Sequence, residues 1–415
     1  MKKFITSLSV ACTLAITGVS AETIKMLHLY ADNAIEYPGI QRAVAEYEKK
    51  SGNKIEMQYL ENEAFKAKLP TMLQSNDRPH IFYSWGGGVM YDQARAGFLK
   101  DISSLVPKSY LDTISTAAAE AFTFEGNRVG LPLQVSQVAF WYNKDLVNQA
   151  GVDVEGIRYW EDLLAVVKKI KASGITPICA GGKDKWPLHF YWTHLHIRNG
   201  GSKLFYESLA NGGWDRPEYI KSGEQFQALT NLDPFQKGYL AATWPDQAGL
   251  FGDGKCALSL MGNWNYGAQQ ANSASGKGLS DDKLGMFNFP MTKGGKGKPT
   301  DTLGGINGWL VSKSAPDAAV DFLMTYLSYE NQSKDAAASA YIPIAKGADT
   351  SITNPFFKQV ASNISQSDYH QIFYDQFLGA DIGRVVNDVS TDLAAGMTTP
   401  EAATKQVQEA WEFNQ

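Results

Sequence analysis

The chain has 415 residues, a formal net charge of −5, and 12% aromatic residues that include 10 Trp. That length suggests two domains, each large enough for its own core. The acidic balance and the lack of any Lys/Arg cluster argue against nucleic acid or an anionic membrane surface as partner.

The N-terminus reads Met1-Lys2-Lys3, an apolar run from Phe4 to Val19, then Ser20-Ala21. A basic start, a short apolar stretch and small closing residues read as a secretory signal peptide, with cleavage expected after Ala21 and a periplasmic location. The apolar run is too short for a comfortable membrane span. Cys12 lies inside it, but Ser9 stands where a lipid-anchor motif would want Leu. Cys179 and Cys256 remain after export. The compartment permits a disulfide between them, and two packed thiols is the competing reading.

A strand is expected over Ile24–Tyr30, followed by the polar loop Asp32-Asn33-Ala34-Ile35-Glu36-Tyr37. Pro38 opens a helix with Ile40, Val44 and Tyr47 at helical spacing, and Gly52 stops it. The next strand, Lys54–Tyr59, ends at Glu61-Asn62, and a helix through Leu69 and Leu73 follows. His80–Tyr83 is a third strand, running into Ser84-Trp85-Gly86-Gly87-Gly88. This βαβαβ order implies a parallel sheet with right-handed crossovers. Its loops emerge at the carboxyl ends of the strands, where open α/β sheets bind ligands. No Gly-Lys-Ser/Thr follows the glycines, which excludes a P-loop.

Around Val129–Tyr142 the pattern becomes extended and Pro-interrupted, which reads as a crossing between lobes near Pro132. A second α/β set follows, with helix Glu161–Ala172, strand Ile175–Ala180, loop Gly181–Trp186 and strand Cys256–Leu260. The last strand leads into Gly262-Asn263-Trp264, an indole flanked by amides, which suits the face and edge of a sugar ring. A Trp264 that merely plugs the core is the alternative. Gly294–Asp301 reads as an exposed loop, Gly304–Val311 as a strand, and Ser314 and Thr399 as helix caps. No Gly-x-Ser-x-Gly elbow occurs. His194 and His196 would point about 200° apart on a helix, so they are expected to pack or face solvent rather than share a metal. An exported carbohydrate-active enzyme is the rival class; it would need a carboxylate pair at a fixed separation.

Several segments, in this order and spacing, resemble the extracellular solute-binding proteins of carbohydrate ABC importers, the family of maltose-binding protein. They are Pro79-His80-Ile81-Phe82 before Ser84-Trp85-Gly86-Gly87-Gly88, Val129-Gly130-Leu131-Pro132 with Trp141-Tyr142-Asn143-Lys144-Asp145-Leu146, and Gly254-Lys255-Cys256-Ala257 with Met261-Gly262-Asn263-Trp264. Ala395-Gly396 with Thr399-Pro400-Glu401-Ala402 closes the set. The resemblance covers nearly the whole chain after the leader. It implies an α/β fold of the two-lobe periplasmic binding protein type (type II), with the ligand cleft between lobes joined by a hinge. Lobe one would comprise residues 22–131 plus 293–334, and lobe two residues 132–292 plus 335–415. It further implies high-affinity binding of a neutral sugar or short oligosaccharide by lobe closure, delivery to the membrane permease subunits of an importer, a monomer, and no catalysis, metal or cofactor. Carried onto this sequence, the sugar contacts would be Asn33, Glu36, Glu61, Asn62, Trp85, Gly86, Gly87, Gln134 and Ser136 on one side. Lys183, Trp186, Asn263, Trp264, Asn307, Tyr341, Tyr374 and Asp375 would complete them.

Overall fold

A computed structural model describes residues 21–415; the signal peptide expected over residues 1–21 lies, except for Ala21, outside the described residues. The strands in chain order are β1 (Thr23–His28), β2 (Lys54–Tyr59), β3 (Ile81–Ser84), β4 (Thr123–Phe124), β5 (Asn127–Arg128), β6 (Gly130–Val135), β7 (Val138–Asn143), β8 (Ile178–Cys179), β9 (Leu258–Gly262), β10 (Leu284–Phe287), β11 (Thr302–Gly304), β12 (Ile306–Val311), β13 (Ile342–Pro343) and β14 (His370–Ile372).

The expected βαβαβ start is present. β1 pairs in parallel with β2 on one side and β3 on the other. Helix Tyr37–Ser51 buries Gly39, Ile40, Ala43 and Tyr47, and ends where left-handed Gly52 (φ 78°) donates its N–H to the Glu48 carbonyl. Helix Asn62–Gln74 starts where the Glu61 carboxylate accepts from the Glu63 and Ala64 amides, and it buries Phe65, Leu69 and Leu73. The sheet grows to the order β13-β6-β12-β3-β1-β2 by adding the antiparallel strands β12, β6 and β13. A second sheet, β10-β7-β9-β8, shares no strand with the first. Each sheet has its own apolar core. Trp141, Trp160, Trp192, Trp214 and Trp309 are fully buried, so packing absorbs about half of the Trp surplus.

Pairing partners, not composition, decide where the chain changes lobe. Pro132 lies inside β6, opposite Gly308 of β12, where the register shifts between Asn307 and Gly308. A proline has no N–H for the ladder, and the irregularity accommodates it. The first crossing therefore falls at Ser136–Gln137, beyond the expected Pro132. The segment from 293 to Gly304 does not join the first sheet either, because β11 pairs with β14. The second crossing is at Gly304–Ile306, and β13 keeps the chain in the first sheet past residue 334.

Cys179 of β8 and Cys256, just before the neighbouring strand β9, are joined in a disulfide with Cα atoms 5.5 Å apart, both fully buried. The bridge spans a sequence separation of 77 and ties an edge strand to the centre of the second sheet. Replacing both residues, Cys179→Ala with Cys256→Ala, should cost about 2–4 kcal/mol. The expected readout is a lower denaturant midpoint; an unchanged midpoint would assign the cysteines no role beyond packing.

Candidate functional site

A cavity of about 240 Å³ lies between the lobes. Its walls come from strand ends and the turns that follow them. Tyr30 and the loop Asn33–Glu36 follow β1, Tyr59, Glu61 and Asn62 end β2, and Trp85 follows β3. Gln134 of β6 and Asn307 of β12 form the floor of the same lobe. From the other lobe come Trp186, His189 and Phe190 on helix Trp186–Asn211, Trp244 and Pro245, Trp264, and the Phe373–Gln376 turn. Helix Asn265–Ala271 presents Gly267, Ala268 and Ala271, small side chains that let it approach the cavity closely.

Local chemistry fixes these groups in place. Trp264 sits where β9 turns into that helix, half-buried, with its ring folded back over Gly262; a Cβ on Gly262 would fall 2.0 Å from the indole. Phe373 at 5.9 Å and Phe190 at 6.4 Å hold it in edge-to-face contact. Trp85 is wedged edge-to-face between Phe65 and Tyr83. Gln134 donates to the Tyr83 hydroxyl at 3.1 Å. Trp244 is positioned by Asp184, whose carboxylate accepts from its amide at 2.7 Å, at the start of a helix capped by Thr243.

Among the described residues, several buried polar atoms on this wall have no partner within the chain: Tyr30 Oη, Asn307 Oδ1, both ring nitrogens of His189, and Trp244 Nε1. Buried polar groups are nearly always paired, so residues that line the cavity carry an unusual share of unmade hydrogen bonds. Burial keeps the His189 imidazole below its usual value, opposed by the Asp375 carboxylate 3.9 Å away. Glu36, half-buried, is pushed up to about 7 by the same desolvation. Three lining carboxylates, Glu36, Glu61 and Asp375, face one lining ammonium, Lys66, which is itself paired with Glu63. Among the described residues no group of three or more His, Cys, Asp or Glu gathers into a metal-binding cluster.

Ten of the sequence candidates meet at this cavity: Asn33, Glu36, Glu61, Asn62, Trp85, Gln134, Trp186, Trp264, Asn307 and Asp375. The others lie elsewhere. Ser136 is spent on the crossing, where its Oγ accepts from the Gly305 amide at 2.9 Å. Asn263 is spent there too, accepting from the Gln137 amide and donating its own N–H to the Gln137 carbonyl. Gly86 and Gly87 do not line the cavity: Gly86 lies against Ile306 and Ala121 of its own lobe, and Gly87 brings backbone close to the opposite lobe, where a Cβ would fall 2.8 Å from the Phe377 Cα. Lys183 is exposed. Tyr341 is buried and donates to Asp335. Tyr374 stacks at 5.2 Å on Phe205 in the core. His194 and His196 pack, as expected, the first stacked on Phe289 and the second edge-on to Trp192 and Tyr219. Sequence reasoning missed Tyr30, Lys66, His189 and Trp244. Tyr30 follows β1 at its carboxyl end, and His189 lies one helical turn from Trp186, so strand-end and i,i+3 rules carried a signal for both.

The bacterial extracellular solute-binding protein family model matches residues 31–333. An uncharacterized ABC transporter extracellular-binding protein of Pyrococcus horikoshii is 25% identical over 82% of this chain and 76% of its own. A probable sugar-binding periplasmic protein of Rhizobium meliloti is also 25% identical, over 71% and 70%. A solved structure from work on xylan utilization by the thermophilic bacterium Caldanaerobius polysaccharolyticus superposes with a TM-score of 0.86 at 24% identity, covering 93% of this chain and 99% of that one, and supports the fold alone. The two separate sheets, the repeated crossing and the cavity between lobes are the architecture of that structure's class, and this chain belongs to the bacterial extracellular solute-binding proteins, binding components of transporters rather than enzymes.

Proposed function

We propose that this protein is the exported receptor of a sugar ABC importer. It binds a neutral sugar or short oligosaccharide between its lobes, closes, and delivers it to the membrane permease subunits. The observation that carries this reading is the meeting, in one cavity, of indoles from both lobes with carboxylate and amide side chains set at strand ends. Flat apolar faces match the C–H faces of a pyranose, and the polar side chains match its hydroxyl edge. The name of the Rhizobium meliloti relative points the same way. Trp85, Trp186 and Trp264 are assigned to stacking, and Glu36, Glu61, Gln134, Asn307 and Asp375 to hydroxyl recognition. Tyr30, His189 and Trp244 join the second group. Asn33 and Asn62 already donate within the chain, to the Ala271 carbonyl and to Glu63, and shape the wall. Each lobe brings part of the site, so the ligand gains its full contacts only when the lobes are together, and that difference drives closure. A periplasmic monomer cleaved after Ala21 completes the reading.

A thermal-shift screen across neutral sugars tests it. A cognate sugar at 100 times its Kd adds about 2.7 kcal/mol of stability. Trp264→Ala should weaken binding by roughly ten- to a hundredfold, about 1.4–2.7 kcal/mol, while the unliganded variant still unfolds cooperatively. Loss of folding would return Trp264 to the core, and a panel with no responding sugar would remove the sugar assignment.

Glu36 supplies a pH test in the unliganded protein. Its folded carboxyl holds a proton up to about 7, whereas the ordinary value of the free group is 4.5. The folded state therefore binds more protons in that window, and stability falls as pH rises from about 4.5 to 7, then levels off. His28 and His370, both pushed down to about 4 by burial, act oppositely, lowering stability as pH falls below their ordinary 6.5. The difference in melting temperature between Glu36→Gln and the parent should grow with pH through the first window and then plateau. A flat difference would place the Glu36 carboxyl in water.

A further inference from the structure

Four indoles line the cavity, Trp85 from lobe one and Trp186, Trp244 and Trp264 from lobe two. Among the described residues, Trp186 is the one of the four whose ring N–H is paired within the chain, and its partner is not in its own lobe. It donates at 3.0 Å to Glu63 Oε1, on helix Asn62–Gln74 of lobe one. Its ring neighbours in lobe two are Phe190 at 5.4 Å and Trp244 at 6.0 Å, and neither side chain offers an acceptor.

Glu63 is fixed on its own helix. The same oxygen accepts from the Asn62 amide at 2.6 Å and lies 3.3 Å from the ammonium of Lys66, three residues on. That ammonium stands 5.5 Å from the Trp186 ring centre and 5.3 Å from that of Trp85. Lobe one therefore meets Trp186 both at its N–H and at its ring. Apolar contact between rings tolerates a flipped indole, whereas a hydrogen bond to its single N–H does not. Glu63 itself does not line the cavity.

We propose that Glu63 is a positioning residue of the site. From lobe one its carboxylate sets the plane of the Trp186 ring in lobe two, so this ring is ready for a sugar face only when the lobes are together. This rests on the sugar reading and on the stacking role given to Trp186. It makes affinity depend on a side chain outside the cavity. A bond made only with the lobes together slows release and leaves encounter unchanged, so its loss appears in koff.

The test uses the full mature protein and the neutral sugar that raises its melting temperature most. Glu63→Ala should weaken that sugar about tenfold, the low end for a hydrogen bond to a charged group, because the carboxylate is partly exposed. Glu63→Gln keeps an acceptor oxygen and should recover most of the affinity. Trp186→Phe keeps a ring without the N–H, and in that background Glu63→Ala should cost under about twofold. With sugar bound, the Trp186 indole N–H should exchange slowly with solvent in the parent and in Glu63→Gln, and rapidly in Glu63→Ala. Thermal melts confirm that the variants fold. Unchanged affinity in Glu63→Ala overturns the positioning role and leaves the sugar reading standing. So does a full loss in the Trp186→Phe background, which would mean that the carboxylate acts through Lys66. Glu63→Gln as weak as Glu63→Ala overturns it too, since charge and not the acceptor would then be at work. A parent that binds no sugar overturns the sugar reading and this role with it.

Discussion

Ser136 and Gly305 tie two crossings of the chain between its sheets to one another. The Ser136 amide donates to the Gly305 carbonyl at 2.9 Å, and the Gly305 amide donates back to the Ser136 hydroxyl at 2.9 Å. These two residues are where the chain leaves β6 for β7 and enters β12 from β11. The approach is so close that a Cβ on Gly304 would fall 1.7 Å from the Ser136 carbonyl oxygen, so only glycine fits. The chain passes between the two sheets, each with its own core, at such crossings. Around this pair an amide network of Gln137, Asn288 and Asn363 fills the remaining hydrogen bonds.

The aromatic surplus divides between two jobs. Trp141, Trp160, Trp192, Trp214 and Trp309 stabilise the two cores by burying large apolar surfaces. Trp85, Trp186, Trp244 and Trp264 line the cavity. The second group is held by edge contacts with other rings, which fixes each indole without covering it completely. The helix following Trp264 then offers only small side chains to the same space. Rings and polar groups from both lobes line the cavity, and the ring contacts that hold each indole lower the ordering cost of binding.

The cavity's lining carries more acid than base. Three carboxylates line it, and the one lining ammonium is committed to Glu63 and to two indoles. An anionic ligand would meet repulsion in a poorly solvated space, while hydroxyl donors find acceptors. The helix from Trp186 onward carries three histidines, and burial keeps all of them below their usual range, so the wall of the second lobe adds no positive charge to offset this.

The sequence by itself determined the α/β class, the parallel start of the first sheet, and the placement of chemistry at strand ends. Alternating periods, caps such as Thr399 and stops such as Gly52 are local signals, and local signals survive in one dimension. The ends of β1, β2, β3 and β9 were legible for the same reason, and Glu36, Glu61, Trp85 and Trp264 follow from them. The tertiary structure decided which of the remaining polar residues face the cavity. Ser136 and Asn263 look like ligand groups in sequence, yet both satisfy backbone across the crossing. Gly87 looks like a ligand cradle, yet it admits the opposite lobe. Lys66 is an ordinary helical lysine until Trp186, 120 positions away, is folded against it. Lobe boundaries were displaced for the same cause: membership in a sheet is a property of the pairing partner, and the partners of β6, β11 and β13 lie far along the chain.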